Sequence, residues 1–329
     1  MMHDLIANFP NNLKQAATDF DKSIIHENRT TFTNIVVCGL GGSGFTGDLI
    51  NDICRNDLNV PFIVVKGYRL PTFVNSNTLL IIASYSGNTE EAVSCFTQAI
   101  EKNNKPICIS AGGTLKSIAL KNDCVFIEMP QGLPPRTSLG FGFTNMLYVL
   151  ITLNLISEKK ATLPISVADF LVSKQAAIQE SAQQTAKIFK SNILVAYVED
   201  TIEAVAIRLK QQINENSKAY CWYNVLPELN HNELVGWKQA HHDIKALFLR
   251  TSFEYLRNKH RFDFIKPVLE SYDTEVIEIN AEGDTFAEQY FYLIHWCDWL
   301  SYYLALENEV DPVEVNVIDK LKNYLANIN

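Results

Sequence analysis

Short apolar runs alternate with amphipathic stretches along the first half of the chain. The runs with strand character are Asn34–Cys38, Phe62–Lys66, Leu79–Ala83, Pro106–Ser110 and Cys124–Glu128. Stretches with helical character extend to Cys54 and cover Glu90–Asn103 and the long apolar segment Ser138–Ile156. Short β-branched strands separated by helical crossovers predict a parallel sheet with helices on both faces.

The alternation restarts in the second half, after the polar segment Ser157–Pro164. The predicted strands there are Asn192–Val198, Ala246–Leu249 and Glu275–Ile279, and the predicted helices are Val167–Phe189, Ile202–Asn216, Asp284–Glu307 and Glu314–Ala326. We therefore predict an α/β protein of two doubly wound domains, residues 1–156 and 157–329, each a parallel sheet flanked by helices. Two halves of similar size suggest an ancient duplication.

Composition narrows the class of partners. The 329 residues are 47% hydrophobic and carry a net charge of −9, so we expect a folded core and neither nucleic-acid nor membrane binding. The N-terminus lacks a signal-peptide pattern, and a run of ~18 uncharged apolar residues is missing, so we expect a cytoplasmic protein. The cysteines form no C-x-x-C pair, which predicts buried free thiols; they are Cys38, Cys54, Cys95, Cys108, Cys124, Cys221 and Cys297.

A glycine-rich turn, GLGGSG at residues 39–44, follows the first predicted strand and opens a helix. Gly39, Gly41 and Gly44 match the G-x-G-x-x-G pattern of dinucleotide-binding folds. The acidic residue expected after the next strand is missing, because that strand ends in Lys66-Gly67. A nucleotide site and a purely structural turn both remain open.

The sequence SYSGNT at residues 84–89 makes a stronger case for anion binding. Three hydroxyl groups surround a glycine at a predicted helix N-terminus, where hydroxyls, backbone amides and the helix dipole can hold a phosphate without a lysine. The alternative is helix capping, with Ser86 or Asn88 as the cap. Capping explains one hydroxyl group but not three.

These two loops resemble those of the sugar isomerase (SIS) domain, which binds phosphosugars. The resemblance implies that hydroxyl groups of the second loop hold the phosphate and that the glycine-rich turn lies beside the substrate. The implied binding residues are Ser43, Ser84, Ser86 and Thr89, with the backbone of Gly41 and Gly42 close to the substrate. SIS domains also occur in phosphosugar-sensing regulators, so the rest of the chain must decide on catalysis.

Further segments are similar to the bifunctional phosphoglucose/phosphomannose isomerases. They are PPRTS at 134–138, NENSK at 214–218, PELNHNE at 227–233 and IDKLK at 318–322. The resemblance runs from about Val36 to Lys322. It implies a metal-independent and cofactor-independent isomerase that interconverts glucose 6-phosphate, and mannose 6-phosphate, with fructose 6-phosphate through a cis-enediolate. It also implies a hexose 6-phosphate bound between the two domains, and a homodimer in which His231 reaches the neighbouring site.

Aldose–ketose isomerisation needs a base that moves a proton between C2 and C1, acid–base groups for ring opening, and a cation beside the enediolate. The resemblance assigns Glu215 as the base, His231 and Lys322 to ring opening, and Arg136 to the enediolate. Taken alone, each is an ordinary polar residue: a solvated glutamate, a surface histidine, a helix-end lysine or a surface arginine. Periodicity does not separate Lys320 from Lys322, and the family pattern I-D-x-L-K selects Lys322.

Other polar and aromatic residues are interpreted as structural. His241-His242-Asp243 lacks a third ligand at metal spacing, so we predict no metal site there. The aromatic stripe between Phe286 and Tyr303 is expected in the core or at a dimer contact, and Glu288 and His295 on the same helix receive no role.

One departure concerns the substrate. The chain reads Asp311-Pro312-Val313-Glu314 where family members often read Asp-Pro-Thr-Pro. This change raises a question about mannose 6-phosphate more than about glucose 6-phosphate. An aminosugar-phosphate isomerase and a non-catalytic phosphosugar-sensing protein remain as alternative functions.

Overall fold

The computed structural model describes residues 1–25, 31–239 and 243–328, without the side chain of Ala326. Contacts divide the chain into two compact units. The N-terminal unit is Ala7–Val172, and the C-terminal unit joins Met1–Ile6 to Ser173–Asn329. Each unit is built around its own parallel sheet.

The compact units differ from the division predicted at residues 156 and 157. The polar segment Ser157–Pro164 is not an extended linker, because it forms a single 3₁₀ turn, Glu158–Thr162, and then enters a helix at Leu163. Pro164 suits that helix start, where its missing N–H costs no hydrogen bond. The helix continues to Phe189, and the contact boundary falls inside it.

The eight strands predicted from the sequence are confirmed, with ends that shift by at most two residues. The described strands are β1 (Asn34–Cys38), β2 (Phe62–Val65), β3 (Thr78–Ala83), β4 (Ile107–Ser110), β5 (Phe126–Glu128), β6 (Ile193–Glu199), β7 (Cys221–Leu226), β8 (Ile244–Arg250) and β9 (Val276–Asn280). The described helices are α1 (Met2–Ala7), α2 (Phe9–Asp19), α3 (Gly41–Cys54), α4 (Glu90–Glu101), α5 (Gly113–Lys121), α6 (Leu139–Thr152), α7 (Leu163–Phe189), α8 (Glu203–Ser217), α9 (Glu233–Gly236), α10 (Leu256–Glu270), α11 (Phe286–Glu307) and α12 (Asn316–Ala326).

The sheet of the N-terminal unit has the order β2-β1-β3-β4-β5, with every neighbouring pair parallel. Its central strands are apolar because both faces are covered. On one face, Val36 and Leu80 pack against α4 and α5. On the other face, Val37 meets α3 at Gly47, where an added Cβ would lie 3.0 Å from a Val37 methyl carbon. The prediction of a parallel sheet flanked by helices is therefore confirmed for this unit.

The sheet of the C-terminal unit has the order β7-β6-β8-β9, again all parallel. Tyr197 and Phe248 on this sheet pack against Phe262 and Ile265 of α10. The sequence analysis missed both β7 and α10. Strand β7 lies at the sheet edge and exposes Trp222, so it lacks the apolar run of a central strand, and α10 is rich in charged residues.

Most residues of helix α11 are buried in the C-terminal unit. Tyr290, Phe291, Trp296 and Trp299 are fully buried, which confirms the core interpretation for this part of the aromatic stripe. Glu288 belongs to the capping box of α11, where Thr285 and Glu288 bond each other's backbone N–H groups. All seven cysteines are buried and free, as predicted. Within the described residues, no helix is both long and apolar enough to span a membrane.

His295 is fully buried in α11, and its Nε2 accepts a hydrogen bond from the Trp299 indole at 3.1 Å. Burial lowers the pKa of the imidazole to about 3. Below its usual pKa near 6.5, the unfolded chain binds a proton that the folded chain excludes, so folding stability should fall as pH falls from 6.5. We expect His295 to contribute a slope of about 1.4 kcal/mol per pH unit between pH 6 and 4.

Urea unfolding at several pH values checks this prediction, with His295→Gln as the comparison because glutamine keeps an acceptor for the Trp299 indole. The free energy of unfolding of the variant should lose that part of the pH dependence. Equal slopes for the two proteins would contradict a neutral, buried imidazole.

Candidate functional site

The glycine-rich turn and the SYSGNT loop follow neighbouring strands of the N-terminal sheet. Both lie at the carboxyl ends of the strands. Strands β1 and β3 pair in parallel, with Cys38 opposite Ile82, and their connections run to opposite sides of the sheet. Such a point of reversed strand order opens a crevice at the carboxyl ends of the strands, where ligands bind in open α/β sheets. The loops meet there, since a Cβ on Gly39 would lie 3.0 Å from the Ala83 carbonyl oxygen.

The glycines of the first turn are explained by close packing. A Cβ on Gly44 would lie 2.5 Å from the Gly39 carbonyl oxygen, so a larger residue would force the turn apart. Lys66, at the position where a dinucleotide-binding fold carries an acid, is ion-paired with Asp48 at 2.5 Å. The turn thus has a structural reason for its glycines, and nothing in its surroundings favours a dinucleotide.

The second loop is held in one conformation by its own hydroxyl groups. The Ser84 and Thr89 hydroxyls lie 2.9 Å apart, and the Gly87 N–H donates to Ser84 Oγ at 3.1 Å. Gly87 has a φ of +68° and abuts Gly112, so this position requires glycine. Ser84 is buried, whereas Ser86 is exposed at the loop tip.

The capping alternative does not describe this loop. Thr89 occupies the N-cap position of α4 but makes no side-chain cap hydrogen bond. The Asn88 side chain turns instead to Thr114, accepting hydrogen bonds from its N–H at 2.9 Å and its hydroxyl at 3.0 Å. Ser86 Oγ accepts only the nearby Asn88 N–H, at 3.2 Å, among its described hydrogen bonds. The first turn of α4 therefore has no side-chain cap, which suits an external anion.

Arg136 lies beside the glycine-rich turn. It sits in the 3₁₀ turn Pro135–Thr137, is 5% exposed, and its Cα would be 3.7 Å from a Cβ on Gly42. The Ser138 hydroxyl braces this turn by donating to the Pro135 carbonyl at 2.8 Å. A small cavity of about 10 Å³, room for about one water molecule, adjoins both segments; its lining includes Gly42, Ser43, Thr46 and Ser138. The N-terminal unit thus gathers hydroxyls, glycine backbone and one buried cation at a single sheet edge.

Glu215 lies in the C-terminal unit, near the end of α8, and its side chain is half-buried. Helix α8 is fixed against α11 by a buried ion pair. Arg208 Nε and Nη2 donate to the two carboxylate oxygens of Asp298 at 2.8 and 2.9 Å, and Gln212 donates to the same carboxylate at 2.9 Å. This bidentate arrangement fixes the rotation of α8 about its axis.

The neighbours of Glu215 in the NENSK sequence all have structural contacts. Asn216 donates to the Ser301 hydroxyl at 2.9 Å, and the Ser217 hydroxyl donates to the Ser301 carbonyl at 2.6 Å. Asn214 donates to the Ala219 carbonyl at 2.8 Å, just beyond the helix. Poor helix formers occur here because their side chains hold the helix end, which places the Glu215 backbone.

His231 lies on the loop after β7, and its side chain is exposed. The loop is anchored by Glu233, whose carboxylate accepts hydrogen bonds from Tyr197 at 2.5 Å and from Asn224 at 2.6 Å. The Trp237 indole completes the anchor by donating to the Tyr197 hydroxyl at 2.6 Å. Burial, with the neighbouring Glu233 carboxylate, raises the pKa of Tyr197, which keeps this hydroxyl protonated as a donor.

The structure does not bring Glu215 and His231 together within one chain. Helix α8 ends before the amino end of β7, and His231 follows the carboxyl end of the same strand. A six-residue strand is about 17–20 Å long, so Glu215 and His231 lie at opposite ends of the strands of the C-terminal sheet.

Lys322 and Lys320 are both exposed on α12, so burial does not choose between them. The Lys322 ammonium lies 3.5 Å from a carboxylate oxygen of Asp319, one helical turn earlier. His241 and His242 fall outside the described residues. Among the residues that are described, no three His, Cys, Asp or Glu side chains cluster in a way that could hold a metal ion.

The predicted site residues thus fall into two groups. The N-terminal unit holds Arg136 together with the predicted phosphate residues Ser43, Ser84, Ser86 and Thr89. The C-terminal unit holds Glu215, His231 and Lys322, each on a different element. The sequence analysis gave no role to Lys218, although the quoted motif includes it, because nothing local shows that its ammonium contacts a distant segment.

Comparison with known proteins supports one family. The family model for the bacterial phospho-glucose isomerase C-terminal SIS domain matches residues 178–325. The bifunctional phosphoglucose/phosphomannose isomerase of Aquifex aeolicus is 35% identical over 316 residues, which cover 93% of this chain and 94% of the relative. The protein of the same name from Caldicellulosiruptor bescii is 34% identical and covers 99% of each chain.

Solved structures show the same fold at low sequence identity. The tagatose-6-phosphate ketose/aldose isomerase of Escherichia coli matches with a TM-score of 0.75 and 15% identity, covering 94% of each chain. The fold is thus shared with a protein of low sequence identity, whereas the sequence relatives match along nearly the whole chain. On this evidence the chain belongs to the family of bifunctional phosphoglucose/phosphomannose isomerases.

Proposed function

We propose that this protein interconverts glucose 6-phosphate, and mannose 6-phosphate, with fructose 6-phosphate. The observation that carries the proposal is the family membership, with 35% identity to a named isomerase over 93% of the chain. The site chemistry agrees with it, since hydroxyl groups and the side-chain-uncapped start of α4 sit at the sheet edge where phosphate esters bind.

The phosphate is held by local groups, because the chain carries a net charge of −9 and offers no global positive field. We assign it to Ser84, Ser86 and Thr89, with Ser43 on the opposite loop. The exposed Ser86 hydroxyl is free to turn toward the ester, whereas Ser84 and Thr89 fix the loop through their 2.9 Å contact. The backbone of Gly41 and Gly42 then lies against the substrate.

The reaction proceeds through a cis-enediolate. Glu215 takes the C2 proton of the open-chain aldose as the C1 carbonyl becomes the enediolate oxygen. A proton then passes from the C2 hydroxyl to O1, and Glu215 returns its proton to C1 as the C2–O bond becomes the ketose carbonyl. Arg136 stabilises the negative charge, since its guanidinium stays protonated throughout. His231 and Lys322 exchange the protons that ring opening requires. Rotation about C2–C3 in the enediolate lets one base serve both aldoses, and none of these steps calls for a metal or cofactor.

The proposal includes a homodimer of two-domain chains, each domain of the SIS type. Because β7 separates His231 from Glu215 within one chain, His231 is assigned to the site of the neighbouring copy. Because Val313-Glu314 departs from the family sequence, we assign glucose 6-phosphate as the first substrate and mannose 6-phosphate as the second. Seven buried, unpaired thiols agree with the reducing cytoplasm as the location.

A coupled assay with each sugar phosphate tests the function. Turnover of glucose 6-phosphate and mannose 6-phosphate to fructose 6-phosphate is the expected result. Activity confined to glucosamine 6-phosphate would favour an aminosugar-phosphate isomerase, and binding without any turnover would favour a sensing protein. Either result would overturn the proposal.

Glu215→Gln removes the base while keeping nearly the same shape. We expect kcat to fall by about 10²–10⁴-fold, because general base catalysis contributes on that order, while phosphosugar binding measured by calorimetry persists. Glu270→Gln, a substitution of an exposed glutamate on α10, serves as the matched control and should keep wild-type kcat. A fully active Glu215→Gln enzyme would show that another group is the base.

Ser86→Ala removes one hydroxyl group from the tip of the phosphate loop. Its effect should appear mainly as a raised KM, because a phosphate contact is made equally in the ground state and the transition state. Ser117→Ala, at an exposed serine whose hydroxyl bonds within α5, is the control. An unchanged KM for Ser86→Ala would count against the assignment of the loop.

A further inference from the structure

Lys218 is the residue that terminates α8, three positions after Glu215. Its backbone is left-handed, with a φ of +51°, a conformation that helix ends usually reserve for glycine or asparagine. A lysine adopts this left-handed conformation less favourably than a glycine would. The reason lies in its side chain, which folds back over the helix end.

The Lys218 ammonium donates hydrogen bonds to three backbone carbonyls. It contacts the Glu215 carbonyl at 2.8 Å, the Asp311 carbonyl at 2.5 Å and the Glu314 carbonyl at 2.7 Å. An ammonium has three N–H donors, so these three oxygens use its full donor capacity. The charge also lies at the C-terminal end of α8, where the helix dipole favours a cation.

The two distant carbonyls belong to the short segment that connects α11 to α12. This segment is itself ordered, because the Asp311 carboxylate accepts the Val313 N–H at 2.8 Å and the Glu314 carboxylate accepts the Asn316 N–H at the start of α12. Lys218 therefore joins the backbone of the proposed base to the segment that leads into the helix carrying Lys322. It is also the segment where this chain departs from Asp-Pro-Thr-Pro.

We propose that Lys218 is a positioning residue for the isomerase reaction, which fixes the end of α8 that carries Glu215 to the Asp311–Glu314 segment ahead of α12. The inference rests on the proposed function. Lys218 is not assigned a proton-transfer role, because its ammonium donates to three backbone carbonyls. Its effect is on the distance between Glu215 and the C-terminal helix.

Lys218→Asn tests the proposal, because asparagine tolerates the left-handed backbone but cannot reach the three carbonyls. We expect kcat for glucose 6-phosphate to fall about tenfold or more, as for small displacements of a catalytic group, with KM unchanged because the phosphate loop is not altered. Lys218→Arg keeps the charge but not the compact three-donor geometry, and should recover part of kcat. Lys210→Asn, at an exposed lysine of the same helix, should keep wild-type kcat.

A role in stability alone would give a different result. In that case Lys218→Asn would lower the melting temperature yet keep wild-type kcat below the melting transition, and the proposal would be overturned. If Lys218→Asn does not fold, Lys218→Arg decides: a reduced kcat with unchanged KM supports the positioning role, and wild-type kcat overturns it. A wild-type enzyme with no turnover would overturn the proposed function itself, which distinguishes that failure from a failure of this inference alone.

Discussion

The buried ion pair between Arg208 and Asp298 is the interaction on which the position of Glu215 depends. Both side chains are nearly excluded from solvent, and the pair is bidentate, so removing either partner would leave an uncompensated charge at a cost of about 3–5 kcal/mol. An apolar contact between α8 and α11 would tolerate sliding by a turn. The hydrogen bonds from Arg208, Gln212 and Asn216 to α11 all form in one register of the two helices. That register sets the position of Glu215.

The four strands of the C-terminal sheet have the same order as the first four strands of the N-terminal sheet, but the two sheets differ in what occupies the point of reversal. In the N-terminal sheet, the helix after β3 begins without a side-chain cap, next to three hydroxyl groups. In the C-terminal sheet, the buried carboxylate of Glu199 lies at the start of α10, accepting hydrogen bonds from the Tyr255 N–H at 2.7 Å and the Asn258 side chain at 2.9 Å. In the C-terminal sheet an internal carboxylate therefore occupies the position that corresponds to the proposed phosphate in the N-terminal sheet. The matching order of the strands agrees with a duplication.

Much of the fold followed from hydrophobic patterning, because the central strands are buried on both faces and read as continuous apolar runs. Hydrophobic patterning did not predict the elements whose burial is incomplete. Edge strand β7 exposes Trp222, and charged α10 buries only a narrow stripe that includes Phe262 and Ile265. The polar sequence after the predicted boundary at residue 157 forms a turn and a helix start, and the division into compact units falls later, within α7.

The sequence alone predicts some residues of the candidate site but not others. The hydroxyl loop could be recognised from local chemistry, since helix N-termini and hydroxyl groups have a known affinity for anions. Glu215, His231 and Lys322 could not, because a half-buried glutamate, a loop histidine and a helical lysine have no distinctive local pattern. Their assignment came from family resemblance. The contacts that place two of them, from Arg208 to Asp298 and from Tyr197 to Glu233, join residues 90 and 36 positions apart.

The positions of the proposed catalytic residues are therefore set by the docking of elements rather than by any one loop. Glu215 is placed by a polar contact between two helices, whereas His231 is placed by the half-buried Glu233 carboxylate, which holds the loop after β7. Both side chains remain accessible while their backbones are fixed, which suits groups that must exchange protons with a bound sugar. Because the strand β7 keeps these two residues apart, a single copy of the C-terminal unit cannot present both to one sugar ring. The proposed roles of these two residues therefore call for two associated copies, which is the reason for the homodimer in the proposed function.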